Sequence, residues 1–122
     1  MNNRIALLCL LGLCAASFWS CTETNPMEPQ TPGANEFWFQ GGAVTPKSVS
    51  ITSGTRIVWV NQDSESHSVD SGTFMNPTTD FSSPNLSSGQ NFGFTFSTAG
   101  TFPFYCSRHQ TRQSETGTVI VN

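Results

Sequence analysis

The sequence predicts an all-β domain, an antiparallel Greek-key β-sandwich of about seven or eight strands, preceded by a leader and a linker. Three observations carry this. From residue 36 onward, β-branched and aromatic runs recur with Gly, Pro, Ser and Asn clusters between them, the pattern of short strands and turns. Strict alternation at Asn91-Phe92-Gly93-Phe94-Thr95-Phe96 puts three phenylalanines on one face. Helical periodicity longer than a turn or two is absent from this part of the sequence, as is any internal repeat. Short strands with turn signals at this spacing close most readily as a sandwich.

Each element follows from its residues. Phe37 and Phe39 flank Trp38 in a first strand, and Val49 and Ile51 alternate with Ser48 and Ser50 in a second that ends at the Ser53-Gly54 turn. Residues 55–60, Thr-Arg-Ile-Val-Trp-Val, are β-branched and aromatic enough for a central strand. A polar loop over 61–66 leads to a short strand at 67–70, then to an irregular stretch over 71–89 anchored by Phe74, Met75, Phe81 and Leu86. After the alternating strand, Phe102, Phe104 and Cys106 share one direction, so Cys106 ends a strand on its core side; Pro103 points outward and implies edge or irregular pairing. A last strand from 117 to 121 places Val119 and Val121 together. Phe92, Phe94, Phe96, Phe102, Phe104 and Trp59 are expected in the core.

The first 20 residues read as a lipoprotein-type signal peptide. Arg4 precedes an apolar run over 5–16, too short for the roughly 20 residues that span a bilayer but suited to a signal core. Ser20 stands directly before Cys21, and a Pro-, Thr- and Glu-rich tract follows, so Cys21 is expected to be lipidated and 21–35 to act as a flexible linker of roughly 20 Å mean span. Phe18 occupies the place where such signals usually have Leu, and the competing expectation is cleavage after Ser17, leaving Cys21 as a stray thiol. The protein is therefore expected to be exported to the bacterial periplasm or cell envelope and anchored to a membrane. The 36–122 segment has room for one compact domain, expected to be monomeric.

Composition excludes one class of partner. The formal charge is -3, and loss of Arg4 with the leader makes the remainder more acidic still. Nucleic acid binding wants a clustered basic face, which this sequence lacks.

Cysteine usage points to chemistry. With Cys9 and Cys14 in the leader and Cys21 assigned to lipid, Cys106 has no disulfide partner. Such a cysteine is either a small buried hydrophobe or a ligand or nucleophile. Cys106-Ser107-Arg108-His109 places the thiol and one of two histidines in one short loop, while His67 must be delivered by the fold from a neighbouring strand. A soft thiolate with two imidazoles is a donor set that suits copper in both oxidation states, whereas zinc ordinarily takes a fourth strong ligand. Singly, each of the three residues has a bland explanation as surface or filler.

The segment from about residue 36 to 122 resembles the plastocyanin-like cupredoxins, the type 1 or blue copper proteins. The resemblance rests on Trp59-Val60-Asn61-Gln62-Asp63 followed by His67-Ser68-Val69, on Phe81-Ser82-Ser83 through Leu86 and Gly89 to Phe94-Thr95-Phe96, and on Gly100-Thr101-Phe102 through Tyr105-Cys106-Ser107-Arg108-His109 to Gly117-Thr118-Val119-Ile120-Val121. It implies one copper ion held by His67, Cys106 and His109, with His67 buried and the ring edge of His109 reaching the surface for electron entry and exit. It also implies that Ser68 ties the two ligand segments together. The function implied is single-copper electron transfer rather than enzymatic catalysis, and the alternative is copper storage or delivery without a redox-carrier role. A redox partner protein is expected to dock near His109. Arg108 and Arg112 either form a positive rim that selects an acidic partner, or Arg112 neutralises Glu115 within the loop.

The departure from the family lies at the axial position. Where relatives usually carry Met, two residues before the Gly that opens the last strand, this sequence has Glu115. Glu115 is the expected axial donor, with Gln113 the alternative; a backbone carbonyl, a water or an empty axial position stays open, and Met75 is a remote candidate. A hard oxygen there favours Cu(II) and implies a lower reduction potential than in a Met-ligated relative.

Overall fold

In the computed structural model, which describes residues 30–122, the chain from Glu36 onward folds into nine strands. These are β1 (Glu36–Gln40), β2 (Ala43–Thr45), β3 (Ser48–Ile51), β4 (Thr55–Asn61), β5 (Asp70–Gly72), β6 (Pro77–Ser82), β7 (Asn91–Phe96), β8 (Gly100–Tyr105) and β9 (Gly117–Val121). The signal peptide over 1–20 and Cys21 lie outside the described residues, and the linker's last residues, 30–35, carry no strand.

Two sheets face each other, one ordered β2-β1-β4-β7 and the other β3-β9-β8-β5-β6. The sandwich is the expected one, and both sheets are mixed. β1 runs parallel to β4 and β3 parallel to β9, while the remaining pairs are antiparallel. Parallel neighbours need a crossover between them. The chain supplies it by leaving the first sheet after β2 and entering the second at β3, so early strands lie beside much later ones.

Two strands are additional to those expected. β2 forms because Gly41 and Gly42 take φ values of +64° and +70°, the left-handed pair that a tight two-residue hairpin requires, and this returns the chain from β1. β6 arises inside the stretch expected to be irregular: its four residues from Pro77 to Asp80 are exposed, so no buried face marks it. It pairs with β5, and the short strand expected at 67–70 lies instead at Asp70–Gly72, with His67 meeting Leu86 in an isolated bridge.

Trp59 is the centre of the core. It is fully buried, stacks at 5.8 Å on Phe37, meets Phe104 edge-on at 5.4 Å, and touches Phe81, Phe92 and Phe96. Burial of each such side chain contributes about 1.5–3 kcal/mol, and good aromatic geometry about 0.5–1.5 more. Phe92, Phe94 and Phe102 are only partly buried and pack on the margin of this cluster. Pro103 sits in an interior strand, between β9 and β5, yet β5 pairs with β8 only at Tyr105 and Phe104. The missing N–H therefore falls where pairing with β5 has already stopped, Gly72 being paired with Pro77 of β6 instead.

Candidate metal centre

At one pole of the sandwich, β4 ends at Asn61 and β8 ends at Tyr105, and the loops that follow carry the polar residues buried there. His67 and Ser68 come from the first loop, Cys106, His109 and Glu115 from the second. The two loops are joined by Ser68: its backbone N–H reaches the Cys106 sulfur at 3.4 Å, and its hydroxyl accepts from the Ser107 N–H at 3.1 Å while donating to Asp70 at 3.0 Å.

The second loop has a simple internal order. His109 N–H bonds Cys106 C=O, Arg112 N–H bonds His109 C=O, and Glu115 N–H bonds Arg112 C=O, at 3.2, 2.9 and 3.0 Å. A chain closed by successive three-residue turns eclipses side chains three apart. Cys106, His109, Arg112 and Glu115 are accordingly brought to one side of the loop. Gly117 then opens β9, carrying the chain away from the pole.

The result is a tight cluster. Nδ1 of His67 lies 3.8 Å and Nδ1 of His109 3.7 Å from the Cys106 sulfur. The Glu115 carboxylate is 2.9 Å from Nδ1 of His109 and 3.4 Å from Nδ1 of His67. One ligand atom from each of the four residues lies within 4.8 Å of every other, a group able to hold a metal ion. His67 and Glu115 are fully buried, Cys106 is 1 % exposed, and His109 keeps 18 % of its side chain at the surface. Gln113 and Met75 are exposed and line a cleft beside β8.

A family model described as copper binding proteins, plastocyanin/azurin family, matches residues 40–122. The chain belongs to that family. Among solved structures, this cupredoxin resembles a purple cupredoxin from Nitrosopumilus maritimus, with a TM-score of 0.63 and 28% identity over 71% of this chain and 98% of that one. It resembles a reduced Cu(I) form of an amicyanin mutant at 0.62 and 20% identity, over 76% and 86% of the two chains. A copper-containing nitrite reductase from Thermus scotoductus SA-01 shares the fold at 0.62 and 22% identity, but the match spans only 25% of that longer chain. No curated protein matches the sequence.

The cupredoxin binds one copper ion, and the donor set fits it: one sulfur, two imidazole nitrogens and one carboxylate oxygen converge, and three of the four residues that supply them are buried. Burial pushes the Cys106 thiol up from its ordinary range, against the pull of the Ser68 and Arg108 backbone N–H groups, and the Glu115 charge adds to the rise. Arg112 occupies the rim. Its guanidinium donates to Glu115 at 2.9 Å and to both oxygens of Glu65 at 2.8 and 3.1 Å, holding the Glu65 carboxyl below its usual value. Glu65 in turn stands 3.4 Å from Nε2 of His109. Of the two readings of Arg112, this is the neutralising one, extended to a second carboxylate. Arg108 is exposed beside it.

Asp63, Glu65 and Phe39 also belong to the site's surroundings. Phe39 stacks on the His67 ring at 4.5 Å and 11°. For Glu65 nothing in the sequence pointed to Arg112, 47 residues away.

Proposed function

We propose that this cupredoxin is a single-copper electron carrier, not an enzyme, in which His67, Cys106 and His109 are the strong copper ligands and Glu115 is the axial oxygen donor. The observation that carries the reading is the convergence of those four donors, with one ring edge left at the surface. Bound copper supplies a one-electron change between Cu(II) and Cu(I). The protein's part is to keep the donors in place through that change. Ser68 restrains the Cys106 sulfur, Phe39 fixes the plane of His67, and Arg112 steers Glu115, so little has to rearrange. His109, the partly exposed member of the four, is where a partner protein docks.

Export and anchoring complete the proposal. The apolar run over 5–16, Ser20 before Cys21, and the polar tract after it support lipidation of Cys21 and a membrane-tethered place in the cell envelope. Cys21→Ala in the full chain is expected to move the protein from the membrane to the soluble fraction; unchanged membrane retention would remove the anchor.

The deciding experiment adds Cu(II) to the purified soluble domain and records visible and electron-spin-resonance spectra. An intense thiolate-to-copper band is expected, followed by rapid electron self-exchange. A weak spectrum without thiolate character would refute the site, and tight Cu(I) binding with sluggish oxidation would refute the carrier.

A further inference from the structure

Behind the cluster, Asp63 meets the far side of His67. Its Oδ2 lies 2.9 Å from Nε2 of the ring, whose Nδ1 faces Cys106 on the opposite edge. Asp63 is not a loose surface carboxylate. Its side chain is 14 % exposed, its two oxygens accept from the backbone N–H groups of Gly41 at 2.6 Å and Gly42 at 3.2 Å, and its own N–H donates to Asn61 Oδ1 at 2.8 Å. Burial works against its charge, but His67 and the two glycine N–H groups outweigh it and keep the carboxyl below its ordinary range. The glycines can aim both N–H groups at one carboxylate because each holds a positive φ at the β1–β2 turn.

We propose that Asp63 is a positioning residue for the copper centre: by accepting from Nε2–H of His67, it keeps Nδ1 as the nitrogen that faces the metal and strengthens that nitrogen as a donor. The inference rests on the reading of His67 as a ligand. A carboxylate behind an imidazole fixes the ring's proton and its orientation and raises ligand basicity. A more basic nitrogen stabilises Cu(II) more than Cu(I), so Asp63 biases the centre toward the oxidised state. The ring is thereby fixed twice, in its plane by Phe39 and along its edge by Asp63, and the β1–β2 turn becomes part of the metal site's support.

The test compares wild type, Asp63→Asn and Asp63→Ala, with folding checked by thermal unfolding. The amide keeps the size but offers one oxygen to three donors and carries no charge. In the copper-loaded proteins, the ratio of Cu(II) to Cu(I) affinity is expected to fall about tenfold in Asp63→Asn, a rise of about 59 mV in potential for one electron. An unchanged ratio in a folded variant with an intact thiolate-to-copper band would overturn the inference and leave the copper reading standing. A second readout needs no copper: in the metal-free wild type, the His67 Nε2–H proton should be visible by 1H–15N NMR and slow to exchange, and lost in Asp63→Ala. A His67 Nε2 without a proton, or one whose exchange ignores the substitution, would overturn it even if the copper reading itself had failed.

Discussion

The carboxylate of Glu115 lies 2.9 Å from Nδ1 of His109, the same nitrogen that stands 3.7 Å from the Cys106 sulfur. The same carboxylate stands 3.4 Å from Nδ1 of His67, between the two rings' metal-facing nitrogens, and its full burial strengthens any charge placed there. Glu115→Gln removes the charge and keeps the shape. It is expected to raise the reduction potential by about 59 mV, a tenfold shift in the affinity ratio, and Glu115→Met by more. Redox titration of the three proteins checks this, and a common potential would take Glu115 out of the copper's reach.

The raised Cys106 thiol sets how loading responds to pH. Burial favours the protonated form, so the metal-free protein near neutrality carries a thiol, and binding as thiolate must expel its proton. The sign follows: each unit of pH below the thiol's pKa costs affinity. With one thiol proton expelled per copper bound, apparent copper affinity should climb about tenfold per pH unit below that pKa. Competition titrations across pH measure the slope. Cys106→Ser should flatten it and abolish the thiolate-to-copper band, while the metal-free fold survives.

The surface around His109 predicts which charge a partner reads. Arg112 is committed to Glu65 and Glu115, leaving Arg108 as the exposed cation of the turn formed by Ser107–His109. Arg108→Glu is expected to slow electron transfer to an acidic partner about tenfold at low ionic strength and to invert its salt dependence. Stopped-flow rates over a salt series would show it; equal rates for both proteins at every salt concentration would dismiss steering through this residue.

Packing beneath the ligand loop yields a stability prediction. A Cβ on Gly117 would lie 2.5 Å from the Phe104 ring, which is itself buried against Phe37 and Trp59. Gly117→Ala should therefore cost about 1–3 kcal/mol by overpacking. Phe104→Leu in the same protein should recover part of the loss, giving a coupling energy in a double-mutant cycle. Strict additivity of the two would show that the ring and Gly117 do not compete for space.

Much of this was legible in the residues because the relevant signals are local. The alternation at Asn91–Phe96 marks β7, and Cys106 with His109 three residues on marks half the site. Glu115 was visible as a departure from the family's pattern. What escaped reading depends on long-range placement. β2 has three residues and β6 a run of exposed ones, so neither shows a periodic buried face. The parallel pairing of β1 with β4 is decided by where the chain crosses between sheets, not by either strand's sequence. Asp63 stands four residues before His67 in the sequence, yet its grip on that ring depends on a turn 21 and 22 residues earlier.

The direction of β1 has a bearing on how such a domain would present itself. Glu36 pairs with Val58 and Phe39 with Asn61, so the strand advances toward the donor-bearing pole and its entry point lies further from it. A tether pulling on residues upstream of Glu36 would load a point level with Val58, midway along β4, and not the pole that carries His109. Such a load would fall first on the β1–β4 hydrogen bonds, outside the loops that carry His67 and His109.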